Sequence, residues 1–285
     1  MKYLRWIGLA LSLVGIGFVI VQLGAYADDL GNFRPTVLQA LLLTALAAVY
    51  GMSNVMLAVA WRDLLEHCGA RSSVRWAVHV FGVTQLAKYI PGNFFHLASR
   101  QTVGMSDGHE AMPLLKSALW EFGAIMTSAA VFGLWLGPLL FHGVSYASGA
   151  SLFAVVLVIV SVAARRYLSS FVMRAVLWYV GFLLLSGLIF YATLQLLVDE
   201  TNLVQVLPGI CSAYIIAWLA GAITPGAPAG IGIREAVMFA LLQPLLAGSE
   251  LLVAIVLNRA ITAGGDTVFY FFALTLDRTA QPPAG

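Results

Sequence analysis

Charge is what this sequence has least of. Fifteen Lys and Arg and thirteen Asp and Glu make 10% of 285 residues, where a soluble domain averages roughly a quarter. With 61% hydrophobic residues and a mean hydropathy of +0.91, that scarcity excludes an ordinary water-facing surface and predicts lipid as the solvent around most of the chain. A net charge of +2, scattered along the sequence, excludes the basic stripe that nucleic acid needs, so no nucleic-acid partner is expected. Cysteine is scarce too. Cys68 and Cys211 stand alone, outside any C-x-x-C or Cys/His spacing, which argues against a disulfide framework or a zinc site; no metal or cofactor is expected. There is no G-x-x-x-x-G-K-[ST] loop and no polar stretch long enough for a nucleotide-binding domain, so the chain is not expected to hydrolyse ATP on its own. No serine, histidine and acid constellation has a soluble platform to act from, and the reading is of a non-enzyme.

What is present is long apolar sequence. Six stretches, about 5–26, 37–60, 114–140, 148–164, 175–198 and 250–276, are long enough to cross a bilayer. The first, with Lys2 and Arg5 ahead of it and Ala25-Tyr26-Ala27 at its end, mimics a signal peptide. At about 22 residues it exceeds a signal h-region and reads as a retained helix, with cleavage after Ala27 as the alternative. Two further stretches, 76–112 and 206–248, are apolar yet interrupted near the middle by Pro-Gly and then an arginine. They read as broken, re-entrant helices. Lys2, Arg5, Arg62, Arg71, Arg75, Lys116, Arg165, Arg166, Arg174 and Arg278 then fall on one side. Asp28, Asp29, Arg34, Asp199, Glu200 and Glu250 fall on the other. The basic side is the cytoplasm, which predicts an inner-membrane protein with both termini cytoplasmic. It is read as one membrane domain, 1–285, with approximate halves 37–164 and 175–276 and an extra helix in 1–36.

The interruptions match. From Gly92 to Arg100 is eight residues, as from Gly226 to Arg234, and a long helix with a charge follows each: Glu121 after the first, Arg259 after the second. Equal spacing in segments of opposite orientation is what an inverted repeat gives, and such folds place their site near the midplane. The expected fold is therefore all-helical, with six spans and two re-entrant segments related by an inverted repeat. Pro91, Gly92, Pro225, Gly226, Gly230 and Gly232 form the breaks, and a helix is expected to restart near Ile231. Free amides there, with Arg234, favour an anion such as a phosphate. Lys88, Arg100 and Arg234 are the expected phosphate ligands, with Asn93, His96 and Thr224 beside them. The competing reading is that Arg100 and Arg234 cap helix carbonyls or snorkel to headgroups.

Glu121, Glu235, Arg259 and Asp266 are costly in lipid and are assigned to gating or coupling. Glu121 and Arg259 either pair across the pseudo-twofold, switch partners, or form a fixed bridge. Glu235 is expected to pair with Arg234 or Arg259, and a protonatable Glu121 or Asp266 would permit proton coupling. His79, His109 and His142 lack ligand spacing. Gly133-x-x-x-Gly137 is a candidate for close helix packing, and Trp61, Trp76, Trp178, Tyr167 and Tyr179 read as interfacial anchors.

At the breaks the sequence resembles the membrane region of lysylphosphatidylglycerol synthases and related flippase-like integral membrane proteins. The match lies in Leu86-Ala87-Lys88-Tyr89-Ile90-Pro91-Gly92-Asn93 with His96 and Arg100, and in Thr224-Pro225-Gly226 with Gly230-Ile231-Gly232-Ile233-Arg234-Glu235. Arg259 with Asp266 resembles the family's last-helix pattern. The resemblance covers nearly the whole chain in layout, but its specific motifs occupy only about 35 residues. It implies translocation of an anionic phospholipid or lipid-linked glycan headgroup between leaflets. The soluble aminoacyl transferase domain fused to this region in some relatives is missing, so lipid aminoacylation is not implied. Ala227-Pro228-Ala229 departs from the family, which often has a further glycine there. Two rival readings remain open: a non-transporting partner of a lipid- or glycan-modifying enzyme, and a membrane-embedded transferase using a lipid-phosphate donor.

Overall fold

Hydroxyl caps open the long helices. Thr36 accepts from the Gln39 amide while the Gln39 side chain accepts from Thr36, a reciprocal box that starts α1 (Val37–His67). Ser73 caps α2 (Val74–Gln85), Ser145 caps α5 (Tyr146–Ala163) and Ser169 caps α6 (Ser170–Gln195), each accepting from an amide three residues on. The remaining helices are α3 (Phe95–Ser106), α4 (Ala111–Phe132), α7 (Leu203–Ile223), α8 (Ile233–Leu242) and α9 (Gly248–Leu274). Helix is the natural choice for so apolar a chain, because it satisfies every backbone group within one segment. The computed structural model describes residues 34–89, 95–141, 143–198, 203–224 and 227–276, and no strand occurs among them.

Among the described residues, six helices are long and apolar enough to cross a membrane. They are α1, α4 extended by two short turns to Leu140, α5 extended by a π turn to Leu168, α6, α7 and α9. Five of them coincide with expected spans; the expected span at 5–26 lies outside the described residues. The sixth, α7, is the first limb of the second interrupted stretch. It runs 21 residues with Pro208 inside it, where the missing amide forgoes one backbone bond. After the break the helix restarts at Ile233, two residues later than expected, since Gly230 and Gly232 both hold left-handed conformations that end any helical run.

The centre is an α1, α6 and α9 bundle. α1 and α6 run antiparallel: Arg174 meets Asp63 at 2.9 Å and Ser169 meets His67 at 3.0 Å at one end, while Gln39 donates to the Leu196 carbonyl at 2.9 Å at the other. Basic Arg62, Arg71, Arg75, Lys116, Arg165, Arg166 and Arg174 all belong to that first end, at the C-termini of α1 and α5 and the N-termini of α2, α4 and α6. α5 is peripheral, with Gly149 its one buried residue. Three aromatic residues expected at the interface are instead core. Trp61, Trp76 and Tyr179 are buried, and the first two stack at 5.6 Å; Trp178 and Tyr167 are exposed.

α2 and α3 form a hairpin. At its base the Trp76 indole donates to Asp107 at 2.9 Å and packs on His109 at 4.3 Å. Burial pushes the His109 imidazole below its ordinary value, with Asp107 pulling the other way. The ends of the second break also come together, because Gly221 and Gly230 meet backbone to backbone. The Leu86–Tyr89 turn at the tip of the first hairpin touches the Pro228–Gly230 turn of the second break.

Candidate functional site

Where the two tips meet there is a cavity of about 190 Å³, lined by both breaks and by the middles of α1, α4 and α9. It draws on most of the expected site residues, though Glu235 and Gly232 do not line it. Lys88, His96, Arg100, Glu121, Gly230, Arg234, Arg259 and Asp266 all line it. Asn93, Pro91, Gly92, Pro225 and Gly226 lie outside the described residues. Thr224 does not reach the wall; its hydroxyl returns to the Ala220 carbonyl at 2.7 Å.

Asp266 on α9, with no exposed side-chain surface, is the hub beneath the first interruption. It accepts from Lys88 Nζ at 2.7 Å, Tyr89 Oη at 2.6 Å, Gln85 Nε2 at 3.2 Å and Asn54 Nδ2 at 3.4 Å. Gln85 also donates to Asn54 at 3.2 Å, so α1, α2 and α9 are tied together below the first tip. The sequence reading missed Asn54, Gln85 and Tyr89 as partners. The available signal was an amide side chain in the middle of an apolar helix, which lipid would reject unless something paired with it.

Arg100 is 2% exposed. Its Nη1 meets Glu121 Oε2 at 2.6 Å, and its guanidinium lies 3.9 Å from the Phe81 ring centre and 5.1 Å from that of Trp61. In the second half the roles of the charges are exchanged, since Glu235 on the post-break helix pairs with Arg259 on the long helix that follows. Glu235 also accepts from the Gly232 amide at 2.6 Å, and Arg259 donates to the Ala229 carbonyl at 3.1 Å. Of the arrangements open for Glu121 and Arg259, direct pairing with each other is not the one present: Glu121 meets Arg100, and Arg259 meets Glu235, one of the two partners expected for that carboxylate. Adjacent partners, Arg100 and Glu235, are already in reach, and crossing the cavity would leave two charges unpaired.

Arg234 is different. It is 4% exposed, rests on the Tyr214 ring at 4.6 Å, and has no carboxylate partner among the described residues; its Nε and Nη2 make no hydrogen bond there. The His96 Nδ1 and Arg259 Nη2 atoms are also buried without a hydrogen-bond partner among the described residues. The cavity thus offers unused N–H groups around one uncompensated positive charge. An oxyanion complements that set.

The second break holds Ala229 at φ 48°, a left-handed conformation that costs an L-residue roughly 1–2 kcal/mol. Its side chain makes none of the contacts just described, since Arg259 binds its carbonyl. Ala229→Gly is accordingly expected to be neutral or to stabilise by about 0.5–1 kcal/mol after the unfolded-state entropy is counted. Gly230→Ala is expected to destabilise, because its Cβ would lie 2.8 Å from Gly221 Cα at φ +70°. Melting temperatures of the purified variants in detergent check both.

Among the described residues no group of three or more His, Cys, Asp and Glu side chains gathers as a metal site, and both cysteines are free. Compared with protein-family models, curated proteins and solved structures, the chain matches none.

Proposed function

We propose that this protein is a lipid translocase that moves an anionic phospholipid or lipid-linked headgroup between leaflets of the cell inner membrane. The observation that carries the reading is Arg234, a buried guanidinium whose Nε and Nη2 make no hydrogen bond and which has no carboxylate partner in a salt bridge among the described residues, in a cavity between the two interruptions. A buried cation without a counter-ion is expensive in lipid, and a ligand phosphate supplies the counter-ion. In this reading the α2–α3 hairpin and the α7–α8 limbs are re-entrant from opposite faces and related by an inverted repeat. The equal Gly-to-Arg spacing supports that, as does the pairing of each post-break helix with the long helix after it, Arg100 with Glu121 and Glu235 with Arg259. The basic end of the bundle is the cytoplasmic one, and the termini are cytoplasmic. The resemblance of the break motifs to the lysylphosphatidylglycerol synthase membrane region points the same way. Lys88, Arg100 and Arg234 hold or release the phosphate, and Glu121, Glu235, Arg259 and Asp266 change partners as the cavity opens to one side and then the other.

The test is leaflet exchange in liposomes carrying the full chain and an acyl-labelled phosphatidylglycerol, read as fluorescence lost to a membrane-impermeant quencher. Quenching beyond the outer-leaflet fraction is expected. Arg234→Gln should slow it roughly tenfold or more, the contribution of one charge-assisted hydrogen bond, without lowering the melting temperature. Undiminished exchange in both Arg100→Ala and Arg234→Ala overturns the assignment.

A further inference from the structure

Between the cavity and the basic end of the bundle, α1, α4 and α6 pack against one another, and the polar side chains buried there are bonded. Asp63 accepts from Arg62 and Arg174, and Ser117 accepts from the Trp61 indole at 3.1 Å. Tyr179 on α6 is the exception. It is fully buried, yet its hydroxyl makes no hydrogen bond among the described residues. A hydroxyl buried in this way bears its whole desolvation cost, and phenylalanine would fill the same space without it. Such a group calls for a reason beyond packing.

The surroundings of that hydroxyl supply one. The charge of Glu121 acts on it most strongly, that of Arg100 next and that of Asp63 after them. These belong to two ion pairs at different depths. Arg100 meets Glu121 at 2.6 Å in the cavity wall, and Arg174 meets Asp63 at 2.9 Å at the rim, where the Arg174 side chain is 44% exposed. Along α6, Tyr179 stands between the two, five residues after Arg174 and three before Phe182, which lines the cavity. From Arg174 to Phe182 is about 12 Å of helix, a gap that a phenol and bridging water can span. A hydroxyl accepts on one side and donates on the other, so it can hand on a proton and stay neutral.

Glu121 is where such a path ends. Its carboxylate is held by Arg100 through Oε2 alone. When Arg100 turns away, the carboxylate is left buried without a counter-ion, and the smallest replacement is a proton. The groups that face the path are Arg100 and His96 from α3, Asp63 and Arg62 from α1, and Arg174 from α6; α7 contributes the uncharged Trp218 to the same wall. Lys88, Arg234, Arg259 and Asp266 stand around the rest of the cavity.

We infer that Glu121 is a proton-binding site, reached from the basic end of the bundle through Asp63 and the Tyr179 hydroxyl. Water at the rim brings a proton beside Asp63; the Tyr179 hydroxyl accepts it on that side and passes its own proton to Glu121. Tyr179 ends neutral, and Glu121 ends as an uncharged acid that no longer holds Arg100. What the proton then drives rests on the translocase reading above, in which it frees Arg100 for the cavity. The site and its path do not depend on that reading.

Time-resolved infrared spectroscopy of the purified full chain tests the inference without requiring transport, because a protonated carboxyl has a carbonyl band that a carboxylate lacks. On a jump from about pH 8 to about pH 4, the span over which buried carboxylates titrate, the unaltered protein should gain a band that is missing in Glu121→Gln. Tyr179→Phe should melt at the same temperature or higher, since it removes only an unbonded hydroxyl. It should reach the same band amplitude at least about tenfold more slowly, less than the roughly hundredfold typical of a positioned proton-transfer group because water takes the place of the lost hydroxyl. Where Glu121→Gln alone is unstable, Arg100→Gln combined with it removes the pair together and serves instead. A band undiminished in the glutamine variants overturns the site. A Tyr179→Phe protein that protonates as fast as the parent, or melts lower, overturns the path. Leaflet exchange is a separate readout: a Glu121 band with Tyr179-dependent kinetics but no exchange leaves this inference standing and removes the translocase reading instead.

Discussion

Asp266→Asn is expected to lower the melting temperature by roughly 6 °C or more. The substitution keeps the shape of the side chain and an acceptor for the amides of Asn54 and Gln85, but removes the charge opposite Lys88, now 2.7 Å away. Breaking a buried ion pair by removing one partner costs roughly 3–5 kcal/mol. Because the Lys88 side chain is 20% exposed, the lower end of that range applies. At roughly 2–4 °C per kcal/mol for a chain above 150 residues, the shift follows. Lys88→Met added to Asp266→Asn should recover most of the loss, since the pair then disappears together rather than leaving a stranded ammonium. The single variant also raises the positive excess of the cavity from one charge to two. Added anionic lipid should therefore raise its melting temperature more than it raises that of the unaltered protein. A single variant as stable as the parent, or a double variant no better than the single one, would show that Asp266 does not hold the first break.

The parts of this architecture that were legible in the sequence are those that composition and spacing dictate. Helices α1, α4, α5, α6 and α9 fall on the expected spans because a run of apolar residues of that length has one economical conformation in lipid. The breaks were legible because Pro-Gly followed by arginine is costly in a plain span. Lys88, Arg100 and Arg234 of those segments do reach one cavity, together with Glu121, Arg259 and Asp266 of the long helices that follow. The pairing was not legible. Glu121 with Arg259 and Glu121 with Arg100 are equally consistent with spacing, and only the approach of α3 to α4 decides between them. Neither were the aromatic assignments, because Trp61 and Trp76 occur near helix ends, where membrane anchors also occur. Their burial comes from packing against each other, with Trp61 also against Arg100 and Trp76 against His109. Gly133 and Gly137 match a close-packing pattern, yet a Cβ at either meets only a side-chain methyl at 3.7–3.8 Å. Apart from Gly230, the tight approaches belong to glycines that no spacing singled out.

Gly265 is the sharpest of these, and replacing it is the second large expected effect. A Cβ on Gly265 would lie 2.6 Å from the Ala47 carbonyl oxygen and 2.8 Å from the Gly51 nitrogen, and one on Gly51 would lie 2.6 Å from the Gly265 carbonyl oxygen. These are backbone atoms, so no side-chain rotation relieves the contact, and α1 must move away from α9. In lipid, helix association depends on such close contact rather than on a hydrophobic driving force. Gly265→Ala gains about 1 kcal/mol of helix propensity, but an overpacked contact typically costs about 1–3 kcal/mol and more when backbones must separate. The sign is therefore destabilising, and Gly265→Val should be severely so. The neighbour supplies the control: a Cβ on Gly264 meets only the Ala47 Cβ at 3.7 Å, so Gly264→Ala should keep the propensity gain and melt at the same temperature or higher. Function follows from the position, because Asp266 is the next residue along α9 and its bond to Asn54 spans the same helix pair. Separating α1 from α9 loosens the hub that holds Lys88, so Gly265→Ala protein that still folds should lose anion binding in proportion to its loss of stability. If Gly264→Ala and Gly265→Ala melted alike, the backbone contact would not be what seats Asp266 against the first break.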